Sequence, residues 1–477
     1  MQVNSPLLTA AKPIRSDEDQ TLALDEAVLA VGIGWYHLRL LLLSGSIFAL
    51  DAMQIQILTF VEDGVRSTFG LSSAMFSLGA SAVFGGMFFG SIVAGRISDS
   101  KGRKFATLIS TILITVGGAV VCTSPTFSVL VIGYFILGIG SGGLHPTAAL
   151  FMEFMPTHRR LIGLILFTSF FTTGMMFECL VAYILQDYSW RWLTAASLSP
   201  VIIAMCALPI WDESPRFLVM HNRHEEAAAV FKKVARLNGT VDCLPPAFTV
   251  VISHSSGVHM PANEACEEPR QRGCISDLKV LFGTPQLRKL TIILFTVWTA
   301  ASLGYYGLIM IVGQTKLGDM SVFASTAVVS SSEYPSFVAQ YLLGTYIGRK
   351  KTFVVTSTLL VVLFPVIQAI KSTPAPLRLF VMYVTRFVVT TLFDLAWVFT
   401  PEAYPTEIRS FGYGMCSAMA RISGILAPFV ALPLYDVAPW GVVALFATVF
   451  AATAAVSSRL PFETKDRPLS EKVVVNE

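Results

Sequence analysis

Apolar residues in this chain gather in long runs separated by short polar turns. A hydrocarbon layer ~30 Å thick is crossed by ~20 helical residues at a rise of ~1.5 Å each. Twelve runs reach that length: about 38–59, 74–95, 105–124, 128–151, 161–185 and 192–211, then 289–313, 322–343, 352–370, 377–400, 411–432 and 440–459. Only closed secondary structure satisfies backbone groups in lipid, so runs of this length predict an all-α membrane protein. One long hydrophilic stretch, about 212–288, divides the runs six and six. Inside it Arg223–Leu237 reads as an amphipathic surface helix stopped by Asn238-Gly239, and residues 240–275 read as loop. The predicted organisation is a tail 1–35, a six-helix bundle 36–211, a linker 212–288, a second bundle 289–460 and a tail 461–477.

Composition sharpens this picture. Charged residues fill 14% of the 477 positions and apolar ones 54%, whereas soluble domains carry roughly 25% charged residues. A net charge of +3, spread over short loops, argues against a nucleic-acid partner. Of the seven cysteines, Cys122, Cys179, Cys206 and Cys416 fall in apolar runs; Cys243, Cys266 and Cys274 lie in the linker without zinc-ligand spacing. No metal or cofactor is expected. The residues before the first run are polar and acidic (Asp17, Glu18, Asp19, Asp25, Glu26), so no cleavable signal peptide is expected. Lys and Arg mark the cytoplasmic side of a membrane protein. Arg96, Lys101, Arg103 and Lys104 follow the second run, Arg159 and Arg160 the fourth, and Arg349, Lys350 and Lys351 the eighth. Both termini and the linker are therefore expected in the cytoplasm, as part of a monomeric protein of the plasma membrane or of a vesicle or organelle. The sequon Asn238-Gly239-Thr240 would then stay unmodified.

The two sets of runs repeat one another. Glu153, Pro156, Thr157 and Arg160 follow the fourth run; Glu402, Pro405, Thr406 and Arg409 follow the tenth in the same register. Gly102-Arg103-Lys104 after the second run matches Gly348-Arg349-Lys350 after the eighth. A six-plus-six duplication of this kind places a solute cavity between the halves, near the membrane midplane.

These residues carry a resemblance. Gly95 to Lys104 (GRISDSKGRK) resembles the loop signature of the major facilitator superfamily. Asp212 to Phe217 (DESPRF), Thr400 to Thr406 (TPEAYPT) and Phe462 to Lys465 (FETK) are similar to its other loop elements. More narrowly, Leu50-Asp51-Ala52-Met53, Trp190-Arg191-Trp192, Tyr305-Tyr306-Gly307, Ser332-Glu333-Tyr334-Pro335 and Met419-Ala420-Arg421 resemble the synaptic vesicle 2-related proteins and their organic-ion and niacin transporter relatives. The resemblance spans nearly the whole chain and implies twelve transmembrane helices in two pseudo-symmetric halves. Two departures are visible: Tyr134 stands where the family carries Arg in the fourth helix, and Thr345 and Tyr346 stand where an acid and a base are usual.

Charge placement suggests how such a protein would work. Asp99 can pair with Arg103, and Glu153 with Arg160 and Glu402 with Arg409 can form matching clusters that lock one side of the bundle; they could also merely anchor turns. Ionisable residues inside apolar runs cost ~2.5–3.5 kcal/mol on insertion scales and point to function. Here they are Asp51, Glu178, Glu333, Arg386, Asp394 and Arg421. Asp51, Glu178 and Asp394 are candidates for binding a cationic group or a proton, Arg421 for a carboxylate or as a counter-ion; interhelical pairing without solute contact is the alternative. Tyr305 and Tyr306 begin a Gly-bounded stretch in which an unwound helix could present their rings. Phe177, Phe393 and Trp397 neighbour the acids, where a cation gains cation–π attraction, although lipid-facing or core packing would equally place a ring there. Pro335, Pro365 and Pro428 are candidate hinges.

Other motifs fail. Gly138-Ile-Gly140-Ser-Gly142-Gly143 matches a dinucleotide pattern but follows no strand, so close helix packing is the expected role. No Walker lysine loop or nucleophile–base constellation argues for an enzyme. His145 could relay protons or serve as a structural histidine. The chain is expected to move a small organic ion, a cation by preference or a niacin-like carboxylate, by alternating access, with protons as a candidate coupling ion. A neutral metabolite such as a sugar is the other solute class, and a non-cycling sensor or scaffold the other function class.

Overall fold

The computed structural model describes residues 20–251, 274–315, 319–405 and 408–464. The N-terminal set of helices comprises α1 (Trp35–Phe69), α2 (Ser73–Lys101), α3 (Arg103–Thr123), α4 (Phe127–Gly142), α5 (His145–Glu153), α6 (Arg160–Ile184), α7 (Trp190–Ser197) and α8 (Pro200–Ala207). The linker contributes α9 (His224–Asn238). The C-terminal set comprises α10 (Pro285–Gln314), α11 (Val322–Ser331), α12 (Glu333–Tyr346), α13 (Arg349–Ala369), α14 (Ala375–Ala403), α15 (Arg409–Phe429) and α16 (Pro439–Ser457). Among the described residues, 10 helical spans are long and apolar enough to cross a membrane. Local chemistry sets their ends: Ser72, Thr284 and Ser321 accept backbone N–H bonds at the starts of α2, α10 and α11.

Three of the apolar runs are broken helices. The fourth changes from α4 to α5 at Gly143-Leu144, and the eighth from α11 to α12 at Ser332, three residues before Pro335. The sixth breaks before Pro200, which has no N–H to give. The amide of Gln54 on α1 takes up the Ser197 carbonyl there, at 3.1 Å. By contrast α10 runs unbroken through Gly304-Tyr305-Tyr306-Gly307, so the unwinding expected at the two tyrosines does not occur. Those glycines serve close packing. A Cβ at Gly304 would stand 2.6 Å from the Phe450 ring, and one at Gly307 2.8 Å from the Phe446 ring. The glycines of the failed dinucleotide pattern work likewise: a Cβ at Gly138 would meet the Val83 carbonyl oxygen at 2.1 Å, and one at Gly142 that of Met87 at 2.2 Å. There α2 and α4 touch backbone to backbone.

The two sets meet along two seams. On one, Ser77 and Ser81 of α2 donate to the Pro428 and Ile425 carbonyls of α15, at 3.1 and 2.6 Å. On the other, Thr172 of α6 donates to Glu333 at 2.7 Å, and the hydroxyls of Thr173 and Tyr334 lie 2.8 Å apart. The ends of α1 and α10 also close together: Gln314 donates to Glu62 at 3.3 Å, and Thr59 packs on Gly313.

Beside the bundle, α9 has the extent expected of the amphipathic helix, ended by Gly239 at φ 74°. The chain ahead of α1 joins it. A helix Leu24–Val31 buries Leu24, Ala27, Val28 and Val31 in one apolar cluster with Ala227, Phe231 and Val234 of α9. Strands Gln20–Ala23 and Phe248–Val251 pair in parallel, Gln20 opposite Phe248. Asn238 binds the Val31 and Gly32 carbonyls and the Tyr36 N–H, each at 3.0 Å. Part of the expected loop 240–275 is thus strand; residues 252–273 of it lie outside the described residues.

Candidate functional site

A cavity of about 590 Å³ lies between the two sets of helices. Asp51 of α1, Tyr305 and Tyr306 of α10, Phe393, Asp394 and Trp397 of α14 and Arg421 of α15 all line it. These are the solute or proton candidates except Glu178, which is fully buried between α6 and α7 and accepts a 2.6 Å bond from Ser197. Its second oxygen has no hydrogen-bond partner among the described residues. Phe177 is exposed on the bundle's outer surface.

Aromatic rings form one wall. Trp298 packs 5.1 Å from Trp397 and 5.8 Å from both Phe393 and Tyr413; Tyr305 lies 5.6 Å from Phe393. Trp298 and Tyr413 were not singled out from the sequence, though a signal existed. Trp298 lies seven residues, two helical turns, before Tyr305, and so on the same face of α10.

The charges of the site fall into three groups. Glu333 and Arg386 form a fully buried ion pair in which Tyr305 also donates to Glu333, at 2.7 Å, and Arg386 donates to the Tyr305 carbonyl, at 2.8 Å. The Arg386 guanidinium lies 3.5 Å from the centroid of the Tyr305 ring. Asp51 accepts the Ser141 hydroxyl and lies within electrostatic reach of Arg421. Arg421 itself stands with Nη2 3.2 Å from Nε2 of His145. Asp394 is different: one of its carboxylate oxygens is buried without a hydrogen-bond partner among the described residues. Gln340 reaches only its backbone carbonyl, at 2.9 Å.

At the face carrying the Gly102 and Gly348 turns, each set repeats one network. Both glycines have positive φ, 100° and 95°, a conformation that side-chain-bearing residues avoid. The Glu213 carboxylate takes the backbone N–H groups of Arg103 and Lys104, at 3.0 and 3.2 Å, and Glu463 those of Arg349 and Lys350, at 2.9 and 3.0 Å. A carboxylate thus caps the first turns of α3 and of α13, where free N–H groups favour an anion. Arg103 pairs with Glu153, and Arg349 with Glu402, both at 3.3 Å. Arg160 feels the charge of Glu153 and also lies 3.7 Å from Asp25, in the helix ahead of α1, and donates to the Met155 carbonyl at 3.2 Å. Arg409 donates to the Tyr404 carbonyl at 3.3 Å and lines the cavity. Asp99, largely exposed, reaches Arg103 only at 3.8 Å, and such a surface pair contributes little.

The sequence profile of the "Sugar (and other) transporter" family matches residues 43–474. The chain belongs to that family. The synaptic vesicle 2-related protein of Rattus norvegicus is 29% identical over 490 residues, covering 96% of this chain and 84% of that protein. The organic cation/carnitine transporter 7 of Arabidopsis thaliana is 27% identical over 496 residues, covering 96% and 98%. Among solved structures, the inward-open xylose transporter of E. coli superposes with a TM-score of 0.71 at 15% identity, covering 91% of this chain and 98% of that one. The fold is that of a major facilitator transporter. Family membership makes this protein a multi-pass membrane carrier of small solutes rather than a catalyst.

Proposed function

We propose that this transporter carries a small organic cation, with Asp394 as the group that receives the positive charge. The observation that carries the reading is the Asp394 carboxylate, one oxygen of which has no hydrogen-bond partner among the described residues, on a cavity walled by Trp298, Phe393, Trp397 and Tyr413. The other acids of the lining are provided for, Glu333 by Arg386 and Asp51 by Ser141 and Arg421. A desolvated cation over such rings gains about 2 kcal/mol of cation–π attraction, and Asp394 supplies the charge. The Arabidopsis relative is named for organic cations and carnitine. A carboxylate solute such as nicotinate is the second reading. Arg421 supports it, since its Nε has no hydrogen-bond partner among the described residues.

The chain crosses the bilayer twelve times in two six-helix halves, with both termini and the linker in the cytoplasm. The matching Glu213 and Glu463 networks support the duplication. The Lys and Arg of those turns support the orientation. The solute enters between the halves, the halves rock about the two seams, and the cavity reopens on the other side. Glu62–Gln314 and Ser73–Asp436 join the two sets at the face opposite the Gly102 and Gly348 turns, which supports a cavity open toward the cytoplasm.

Purified protein in liposomes, offered radiolabelled tetraethylammonium, nicotinate or xylose, tests this. Saturable tetraethylammonium uptake that Asp394→Asn abolishes is the expected result. Uptake of nicotinate alone, lost in Arg421→Gln, would replace it by the second reading. Binding without flux of any probe would leave a sensor on the transporter fold.

A further inference from the structure

His145 stands where α4 gives way to α5, at the edge of the aromatic wall. Its two ring nitrogens have partners of opposite kind. Nδ1 lies 3.0 Å from the Gly142 carbonyl oxygen, which only accepts, so Nδ1 carries the hydrogen. Nε2 faces Arg421 Nη2 at 3.2 Å, which only donates, so Nε2 presents its lone pair. The ring is neutral and held from both sides. It also lies parallel to Trp397, with centroids 6.2 Å apart and 10° between planes.

Arg421 of α15 faces His145 directly, and Asp51 of α1 lies within reach of Arg421. Tyr306 of α10 feels both of those charges. Asp394 of α14, Glu333 of α12, and Arg409 and Tyr413 of α15 line the same cavity, and Glu333 is committed to Arg386. The helices α2, α3 and α6, also packed on α5, bring no charged residue to the lining.

We infer that His145 is a proton-binding site whose occupancy alternates with that of the cationic solute, which makes the carrier a proton–cation exchanger. The inference rests on the cation reading above. A proton arriving from water at Nε2 removes the lone pair that accepts from Arg421 and sets two cations face to face. The same charge lands beside Trp397, on the wall where an organic cation lies, so the proton and the solute exclude one another. Arg421 belongs to one half and His145 to the other. The proton therefore also cuts a polar link across the seam, and Asp51 is the anion placed to receive the displaced guanidinium. Loss of the proton on the opposite side restores lone pair and link together.

Liposomes that are acidic inside and neutral outside should take up tetraethylammonium faster than liposomes without a gradient. His145→Gln keeps an acceptor for Arg421 but holds no proton. It should lose that stimulation, with counterflow at equal pH reduced but not lost. Stimulation by the reverse gradient would overturn the exchanger. So would full stimulation in His145→Gln, or loss of counterflow together with stimulation in well-folded His145→Gln. A second measurement needs no transport. Tryptophan emission of the purified protein should fall as protonated His145 quenches Trp397, and this pH-dependent change should vanish in His145→Gln and in Trp397→Phe. If the change is present but no cation is carried, the cation reading fails and the proton site stands. If there is no change, or if it survives in Trp397→Phe, the proton site is wrong, whatever the fate of His145→Gln.

Discussion

Glu333 is surrounded by what a buried carboxylate requires: the Arg386 guanidinium, the Tyr305 hydroxyl and the Thr172 hydroxyl. Breaking such a pair from one side strands a charge and costs about 3–5 kcal/mol, whereas removing both charges costs far less. Arg386→Met should therefore lower the thermal unfolding temperature in detergent much more than Arg386→Met combined with Glu333→Gln. Equal losses would mean that the pair is not held as described. At this scale the sequence marked the costly residues more clearly than the partners that they meet. Asp51, Asp394 and Arg421 stood out because a charge in oil is expensive. That Arg386 serves Glu333 could not be read, because the partners lie on different helices whose rotation no hydropathy pattern encodes. Glu178 stood out for the same expense, yet it answers to Ser197 away from the cavity. Arg160 was matched to Glu153 by spacing, and its partner Asp25 lay in a stretch that looked like plain tail.

Helix packing separates two kinds of glycine. A Cβ at Gly138 would press on the Val83 backbone at 2.1 Å, whereas one at Gly414 in α15 meets nothing within 4 Å. Gly138→Val should push α2 and α4 apart and yield little monodisperse protein by size-exclusion chromatography. Gly414→Ala should fold normally and gain roughly 1 kcal/mol of helix propensity. If both variants express alike, the backbone contact of α2 and α4 is not structural. The spans were readable because length and apolarity are properties of composition. The break at Ser332 falls beside the candidate hinge Pro335, whereas the one at Gly143-Leu144 was not foreseen, because hydropathy alone does not show where a ladder of backbone bonds is interrupted. Gly304 and Gly307 show the converse error. Paired glycines suggested unwinding, but the Phe450 and Phe446 rings of α16 fill the space that they leave.

Across the whole molecule, the face opposite the Gly102 and Gly348 turns is closed where α1 meets α10. A Cβ at Gly313 would lie 3.3 Å from that of Thr59, close to the ~3.8 Å mean of disulfides. Oxidising Thr59→Cys with Gly313→Cys should join the halves and stop uptake, and reductant should restore it. Full uptake by the cross-linked protein would exclude rocking about these seams. The loop motifs announced the Arg103 and Arg349 turns in advance. They did not reveal that Glu213 and Glu463 cap those turns, because both partners come from segments distant in the chain. The strand Phe248–Val251 was equally hidden, since its mate, Gln20–Ala23, precedes every apolar run.

The serine-lined seam bears on how easily the carrier moves. Ser77 donates to Pro428 of the opposite half, and the same hydroxyl lies 2.9 Å from the Ser73 carbonyl of its own helix. When the halves part there, the Ser77 hydroxyl keeps a local acceptor, whereas Ser81 gives up the Ile425 carbonyl. The penalty of parting this seam therefore falls on one serine rather than two, which lowers the cost that the cargo has to offset.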